Sequence, residues 1–345
     1  MPQTANAIIT KARTLYGRML APAQYEELLH RQSVQEVCAY LKEKTTYAGL
    51  LANVQESAIH RGQLENLLHK DMFYQYVRLA RYMPQKSSAA RFVVLDMEIE
   101  LILSRLRGLV SHKQEDAVIA ELPAFMAPYA SFDIYRLAKA ETFADLTDAL
   151  EGSNYAGLLR ECGSPDAGTS IPYAACEAKL RTWYFQTLLK DAGRTAHGRT
   201  RKELRQILSL RAEVMNLHTI YRMKAYFNAG PQAIRQLLLP VSCSLNRREL
   251  EQLIEAADAQ EFMKRLCHTA YGKHLDPQET FLEDQTENIR YRVNLHLLRF
   301  SSDPQVVFTA YLLLRGMETE NIIRIVEGVR YGMPPEKIRR LLYRM

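Results

Sequence analysis

The chain has 345 residues, which is enough for two or three ordinary domains or for one large domain. Its hydrophobic content of 47% and charged content of 24% are typical of a folded protein and exclude a largely disordered chain. The net charge of +6 comes from 45 basic and 39 acidic residues that are interleaved, and this mild balance does not indicate a nucleic-acid-binding protein.

The cysteines indicate a reducing compartment. They are odd in number, widely spaced and form no C-x-x-C motif, which favours buried free thiols over disulfides or a zinc site. The start of the chain, MPQTANAIITKAR, lacks the basic-then-apolar pattern of a signal peptide. The apolar run 306–314 is far shorter than the ~20 residues that span a bilayer, so we expect no transmembrane segment.

In chain order, residues 5–30 predict two helices. Apolar side chains recur at helical spacing from Ile8 to Met19 and again after the break at Ala21-Pro22. The break fits the start of a second helix, because proline is well tolerated in a first helical turn.

The stretch that begins at Ser33 contains a pattern that recurs at Thr142 and Asp258. Each of these residues is a good helix N-cap with an acid three positions later, the spacing of a capping box. An apolar residue at cap+4 and a leucine at cap+8 share one helix face, and a tyrosine follows the helix. The acids are Glu36, Asp145 and Glu261; the apolar pairs are Val37 and Leu41, Leu146 and Leu150, and Phe262 and Leu266; the tyrosines are Tyr47, Tyr155 and Tyr271.

Three copies in the same order predict a triplicated subdomain. The caps are roughly 110 residues apart, whereas the repeats of helical solenoids are ~20–50 residues long. A short apolar helix precedes each cap at the same offset, so the repeat extends backward by one helix. We therefore expect an all-α chain of three similar helical repeats, spanning 1–112, 113–230 and 231–345.

Two longer helices are predicted to complete each repeat, and the second carries a polar residue followed by an aliphatic one. An amide at this position is most simply interpreted as a buried group that hydrogen-bonds to a packed neighbour; the functional alternative is a polar point on an inward-facing helix. The pairs are Glu100-Leu101, Asn216-Leu217 and Asn321-Ile322, and each is followed by a basic residue, Arg105, Arg222 or Arg330.

The sequence contains no recognisable catalytic motif. H-E-x-x-H, G-x-S-x-G and G-x-G-x-x-G are all missing, and Gly272-Lys273 lacks the upstream glycine of a P-loop. The nine histidines include no i, i+4 pair that would suggest a metal site. With triplicated helices, this favours a structural or coupling role over catalysis.

Four stretches resemble one family when taken together and in order. They are KARTLYGRMLAPAQYEELL, SVQEVCAYLKEKTTYAGLL, EVMNLHTIYRMK and AYLLLRGMETENIIRIVEGVRYGMPPEKIRRLL. The chain resembles, over its whole length, the C subunit of V-type (archaeal-type) ATPases and ATP synthases, whose eukaryotic relative is the d subunit. It departs from the family's usual Asp-x-x-Asn-Leu pattern in the first repeat, where Met97 and Glu100 stand instead, which leaves the polar role of that helix open.

The resemblance implies a non-catalytic rotor subunit of the central stalk. Its three subdomains would form a pseudo-threefold funnel on the cytoplasmic face of the membrane rotor ring. As a peripheral subunit it would be a socket for the central axle, made of the D and F subunits, and would couple ATP hydrolysis or synthesis to proton or sodium transport. No cofactor, metal or nucleic-acid partner is expected.

The residues that contact the partners are predicted from the repeat. If equivalent helices surround a central socket, Arg105, Arg222 and Arg330 are candidates to line it. Two other functions stay open: a generic all-helical scaffold or adaptor, which would not fractionate with membranes, and a small-molecule enzyme with a cleft between helical units.

Overall fold

The computed structural model describes residues 2–83, 88–111, 122–163, 171–275 and 282–343, and all of their regular structure is helical. This confirms the all-α prediction for the described residues. The helices are α1 Pro2–Tyr16, α2 Pro22–Leu29, α3 Val34–Lys44, α4 Ala48–Leu51, α5 Arg61–Ala80, α6 Ser88–Val110, α7 Ile134–Ala138, α8 Phe143–Ala149, α9 Asn154–Arg160, α10 Tyr173–Thr195, α11 Gly198–Phe227, α12 Pro231–Leu237, α13 Arg247–Ile254, α14 Ala259–Leu266, α15 Leu282–Phe300, α16 Pro304–Arg330 and α17 Pro335–Leu341.

The three predicted caps begin helices as the sequence indicates. Ser33, Thr142 and Asp258 each accept a hydrogen bond from the backbone N–H three residues later, at the starts of α3, α8 and α14. The short helix predicted before each cap is also present, as α2, α7 and α13. Every predicted cap+4 and cap+8 residue is buried, and so are the three tyrosines, which confirms that the recurring pattern marks core positions.

The described structure falls into two compact units, each assembled from separated parts of the chain. Unit 1 comprises Met1–Gln85, His197–Ile207 and Glu279–Met345, and unit 2 comprises Lys86–Ala196 and Leu208–Gln278. Helix α11 therefore begins in unit 1 and continues in unit 2. The predicted boundary at 112/113 lies outside the described residues, so the three-repeat division stays a prediction.

In unit 1, α16 is the central helix. It packs against α1, α3, α5, α15 and α17, and most of its side chains are buried. One face contributes Ile322 and Val326 to a core shared with Leu28 and Leu41. Helix α17 packs closely on α16 at Gly328, where an added Cβ atom would lie 2.5 Å from Ile338. Glycine is therefore required for this close approach.

In unit 2, α6 lies along α10, and an ion pair joins α6 to α11. Nη2 of Arg211 lies 2.8 Å from each carboxylate oxygen of Asp96. The hydroxyl of Tyr184 on α10 also contacts Arg211 at 2.9 Å. Burial alone would lower the pKa of Arg211, but Asp96 and its neighbours hold it above its ordinary value, so the buried guanidinium stays charged.

The cysteines are all free thiols, but burial is less general than the sequence suggested. Cys38 and Cys176 are buried, whereas Cys243 is exposed on the segment that precedes α13. The backbone N–H of Cys243 nevertheless bonds to the buried carboxylate of Glu213. Among the described helices, none combines the length and the apolar character needed to cross a membrane.

Candidate functional site: three anchored short-helix modules

Each predicted cap belongs to a compact module of short helices. Module 1 spans 20–51 with α2–α4, module 2 spans 131–160 with α7–α9, and module 3 spans 243–275 with α13 and α14. A long helix carries one buried glutamate for each module. The contacts between each module and its long helix attach the module to the rest of its unit.

Module 3 is anchored by Glu213 of α11. The two carboxylate oxygens accept backbone N–H bonds from Cys243, Ser244 and Leu245 at 2.6, 2.8 and 3.1 Å. The hydroxyl of Tyr271 donates to Oε1 at 2.7 Å. Burial, and then the charge of Glu213, raise the pKa of Tyr271 well above its ordinary value. The tyrosine therefore remains a donor, and four bonds satisfy the buried carboxylate.

Module 2 repeats this arrangement with Glu98 of α6. Its carboxylate accepts the backbone N–H of Ser131 at 2.5 Å and the hydroxyl of Tyr155 at 2.6 Å. The ring of Tyr155 packs edge-on against Phe132 and Trp183, at centroid distances of 5.9 and 5.1 Å. Burial raises the pKa of Tyr155 too, with Glu98 adding to the effect. The same pair of groups thus holds modules 2 and 3.

Module 1 uses the equivalent glutamate differently. Glu318 of α16 accepts the backbone N–H of Leu20 at 2.8 Å, but its other oxygen accepts from Nη1 of Arg315 at 2.5 Å. The guanidinium of Arg315 lies over the ring of Tyr47, 4.6 Å from its centroid, and also pairs with Asp71 at 2.7 Å. Within the described residues the buried hydroxyl of Tyr47 has no hydrogen-bond partner. An ion pair therefore replaces the tyrosine–carboxylate bond.

This buried ion pair changes the electrostatics of module 1. Burial raises the pKa of Glu318, and Arg315 and the N–H of Leu20 oppose that rise. Burial works against the charge of Arg315, yet Tyr47, Glu318 and their neighbours keep its pKa above its ordinary value. Charges this deep are tolerated only while every partner is in place. Module 1 therefore depends on Arg315 in a way that the other modules do not.

A second contact from the long helix secures modules 2 and 3. Arg105 donates from Nε to the carbonyl of Ala140 at 2.7 Å, and the ammonium of Lys224 donates to the carbonyl of Ala256. Each carbonyl lies two residues before the N-cap of its module. Lys224, and not the predicted Arg222, is thus the counterpart of Arg105.

The three predicted arginines do not occupy equivalent positions. Arg105 is buried at 4% exposure inside its own unit, whereas Arg222 and Arg330 are exposed near the ends of α11 and α16. The guanidinium of Arg330 lies 5.2 Å from the centroid of the Tyr331 ring. The spacing from the polar residue to the arginine differs among the three repeats, and the burial of the three arginines differs as well.

The two predicted asparagines confirm the packing interpretation. Asn216 donates to the carbonyl of Leu239 and accepts its N–H, at 2.9 and 2.8 Å. Asn321 makes the same two bonds with Tyr343, at 3.0 and 2.8 Å. Each amide thus fixes the chain just after the next short helix. In the first repeat Glu100 pairs instead with Arg181 at 2.8 Å.

A family model described as "ATP synthase (C/AC39) subunit" matches residues 8–341. The chain belongs to this family. Relatives named as the C subunit of an A-type ATP synthase occur in Pyrococcus abyssi, at 21% identity over 96% of this chain and 88% of the relative, and in Archaeoglobus fulgidus, at 22% identity over 96% and 94%. A relative in Methanosphaera stadtmanae is 25% identical over 76% of this chain. The matched region covers only 65% of the length of that relative.

In this C/AC39 family member, sequence reasoning missed the three anchoring glutamates. Glu213 and Glu318 lie three residues before Asn216 and Asn321, so this shared spacing was a signal in the sequence that could have identified them. The same offset in the first repeat falls on Met97, and the structure shows that the neighbouring Glu98 takes the role. The departure at Met97 therefore moves the anchor by one residue and does not remove it.

The glutamate-bearing helices share a further feature at their C-terminal ends. Twelve to fourteen residues beyond the glutamate, each exposes a large apolar or aromatic side chain. These are Val110 at 51% exposure on α6, Tyr226 and Phe227 at 75% and 71% on α11, and Tyr331 at 66% after α16. Exposed aromatic side chains beside arginines are typical of protein–protein contact surfaces.

Proposed function

We propose that this chain is the non-catalytic central-stalk subunit of a V-type or A-type rotary ATPase. It acts as a socket that joins the central axle, made of the D and F subunits, to the membrane rotor ring. It thereby couples ATP hydrolysis or synthesis to proton or sodium transport. The observation that carries this proposal is the family match over residues 8–341, supported by the relatives named as the C subunit of A-type ATP synthases.

The way the modules are held supports a mechanical role. A coupling part must transmit force without yielding, and densely packed interiors with satisfied polar groups do so well. Glu98 and Glu213 attach the short-helix modules to the long helices through buried hydrogen bonds. Each carboxylate oxygen of Glu98 and Glu213 accepts at least one hydrogen bond from the module that it holds, which suits a positioning role.

The exposed helix ends are the surfaces that we assign to partners. Arg222 and Arg330 accompany the exposed aromatic side chains there, so both are proposed to contact the axle. Arg105, the third predicted arginine, would act indirectly by holding module 2 on α6. We further propose the pseudo-threefold funnel and a peripheral position on the cytoplasmic face, reached through the ring.

Affinity purification of the tagged chain from gently solubilised native membranes tests this function. The proposal predicts recovery of an intact rotary ATPase with this chain near one copy per complex. Recovery of soluble partners alone, with no ATPase head and no part of the ring, would overturn it and favour a generic helical scaffold.

The socket residues are tested separately by charge reversal. Because an exposed ion pair contributes only about 0.2–1 kcal/mol, single changes are uninformative and Arg222 and Arg330 are reversed together. We expect weaker binding of the axle, measured with the purified axle proteins. Arg105→Glu is added last, with circular dichroism as a folding control, since its side chain is buried. Unchanged axle affinity in the folded triple variant would remove the socket assignment.

A further inference from the structure

A cation-rich surface lies at the start of α11 in unit 1, and none of the contacts above uses it. Arg201, Lys202 and Arg205 are exposed there, at a spacing that places them on one helix face. The opposite face of the same turns carries buried Leu204 and Ile207. Over the part of the chain that the structure describes, no carboxylate pairs with any of the three cations.

The first turn of α11 is fixed against the link between α15 and α16. Glu203 accepts from Nε of Arg199 at 2.6 Å and from the hydroxyl of Ser301 at 2.7 Å. The hydroxyl of Thr200 donates to Asp303 at 2.9 Å, and Asp303 also accepts the first N–H groups of α16. Glu203 therefore pairs with Arg199 and Ser301, and Asp303 is bound to Thr200 and to α16; among the described residues neither carboxylate pairs with Arg201, Lys202 or Arg205.

An exposed aromatic side chain borders this turn. Phe300 ends α15 one residue before Ser301, is 65% exposed and packs its ring 4.9 Å from that of His296. Arg13 crosses the end of α15 and donates to the carbonyls of Leu298 and Ser301 at 2.8 Å each. We call this region the α11 basic surface; it consists of Arg13, Arg199, Arg201, Lys202, Arg205, Arg299 and Phe300.

The α11 basic surface contains six cations in a chain whose total net charge is +6. Arg199 pairs with Glu203 and Arg13 donates to two backbone carbonyls, whereas Arg201, Lys202 and Arg205 make no ion pair among the described residues. Five of the six are arginines, whose planar forks match carboxylates in a bidentate manner. An aromatic side chain among arginines is typical of an anchoring point in a protein interface.

We propose that the α11 basic surface binds an acidic segment of a neighbouring polypeptide in the parent ATPase complex. Carboxylates of that segment pair with the cations of α11, and an apolar side chain covers Phe300. A protein partner is favoured over a lipid surface because the chain belongs to a family of proteins that work within a complex. The inference goes beyond the rotor role, since it holds for any placement of the chain within the complex.

Rebinding of the purified full-length chain to parent complex depleted of it tests the proposal. At low salt, R201E/K202E/R205E is expected to lower the affinity by about tenfold, and raising KCl from about 50 to about 300 mM should weaken the wild type more than the variant. F300A is expected to lower affinity severalfold. The matched control is R247E/R248E/K264E, which reverses three exposed cations of module 3 and should bind like the wild type.

A zero-length carbodiimide cross-link identifies the partner group directly. This reagent joins the amine of Lys202 to a contacting carboxylate, so mass spectrometry of the cross-linked peptide should report an acidic segment. K202R keeps the charge but lacks the amine, and it should abolish this cross-link while preserving affinity. Rebinding of R201E/K202E/R205E within twofold of the wild type overturns the proposal.

Vesicles of about 70:30 phosphatidylcholine to phosphatidylglycerol distinguish a lipid surface from a protein partner. The proposal predicts that the wild type and R201E/K202E/R205E sediment alike with these vesicles. If the triple variant loses vesicle binding and keeps its affinity for the complex, a lipid surface is the occupant and the proposal is wrong. Rebinding of the wild type to the depleted complex tests whether the chain is part of that complex. If the wild type does not rebind, the rotor role fails, and this result differs from a loss of binding in R201E/K202E/R205E alone.

Discussion

The hydroxyl of Tyr271 donates to Glu213 across 2.7 Å, in the interior of module 3. The same contact recurs in module 2, where Tyr155 donates to Glu98 at 2.6 Å. In module 1 the glutamate is present but an arginine takes the place of the tyrosine hydroxyl. We therefore expect the tyrosine hydroxyl to contribute to the free energy of unfolding in modules 2 and 3 and not in module 1.

Replacing each of the three tyrosines by phenylalanine should therefore change the free energy of unfolding by different amounts. Removing a hydrogen bond to a charged group costs about 1.5–3 kcal/mol, so Y155F and Y271F should lower the free energy of unfolding by that amount. Y47F should be near neutral, because the hydroxyl of Tyr47 has no hydrogen-bond partner among the described residues. Chemical denaturation measures all three, and an equal loss in Y47F would contradict the distinction between modules.

Replacement of Arg315 by alanine should destabilise the protein strongly. It leaves the carboxylates of Glu318 and Asp71 without their shared cation, and breaking a buried pair costs about 3–5 kcal/mol. The control is R235A, whose ion pairs with Glu251 and Glu255 are exposed and whose loss should not change stability measurably. Hydrogen exchange at the Leu20 amide reports module 1 locally, and unchanged protection in R315A would count against the role of Arg315.

Gly272 should not tolerate a side chain. A Cβ atom there would lie 1.8 Å from the carbonyl oxygen of Cys267, so the turn of module 3 must open. We expect G272A to cost about 2–3 kcal/mol. G49A and G157A are matched controls, because an added Cβ atom meets nothing within 4 Å at either position. Thermal unfolding compares the three, and a neutral G272A would show that the turn adapts freely.

The capping acids predict a pH dependence. Hydrogen bonds from Thr142 lower the pKa of Asp145, and the N–H of Ala257, with Arg265, lowers the pKa of Glu261. A carboxyl whose pKa is lower in the folded state stabilises above its unfolded pKa of about 4, and this stabilisation is lost as the pH falls through the folded value. D145N should therefore differ from the wild type at pH 7 and converge with it in acid. A difference in unfolding free energy that persists at low pH would contradict this.

The sequence predicted the local features of the modules and missed what holds them. Ser33, Thr142 and Asp258 were recognisable because a cap and its acid are three residues apart. Glu98 and Ser131 are 33 residues apart, and Leu20 and Glu318 are 298 apart. A buried acid on a long helix has the same sequence pattern as an exposed one. Only the tertiary structure shows which carboxylates face inward, and that Arg105 donates to the carbonyl of Ala140 while Arg222 is exposed.

The most direct test of the rotor assignment is a coupling measurement in proteoliposomes that contain the parent ATPase. After selective removal of this chain, we expect ATP hydrolysis by the soluble head to persist and ATP-driven ion uptake to be lost, and we expect uptake to return when the purified chain is added back. If ion uptake per ATP hydrolysed is unchanged without the chain, it is not the coupling socket.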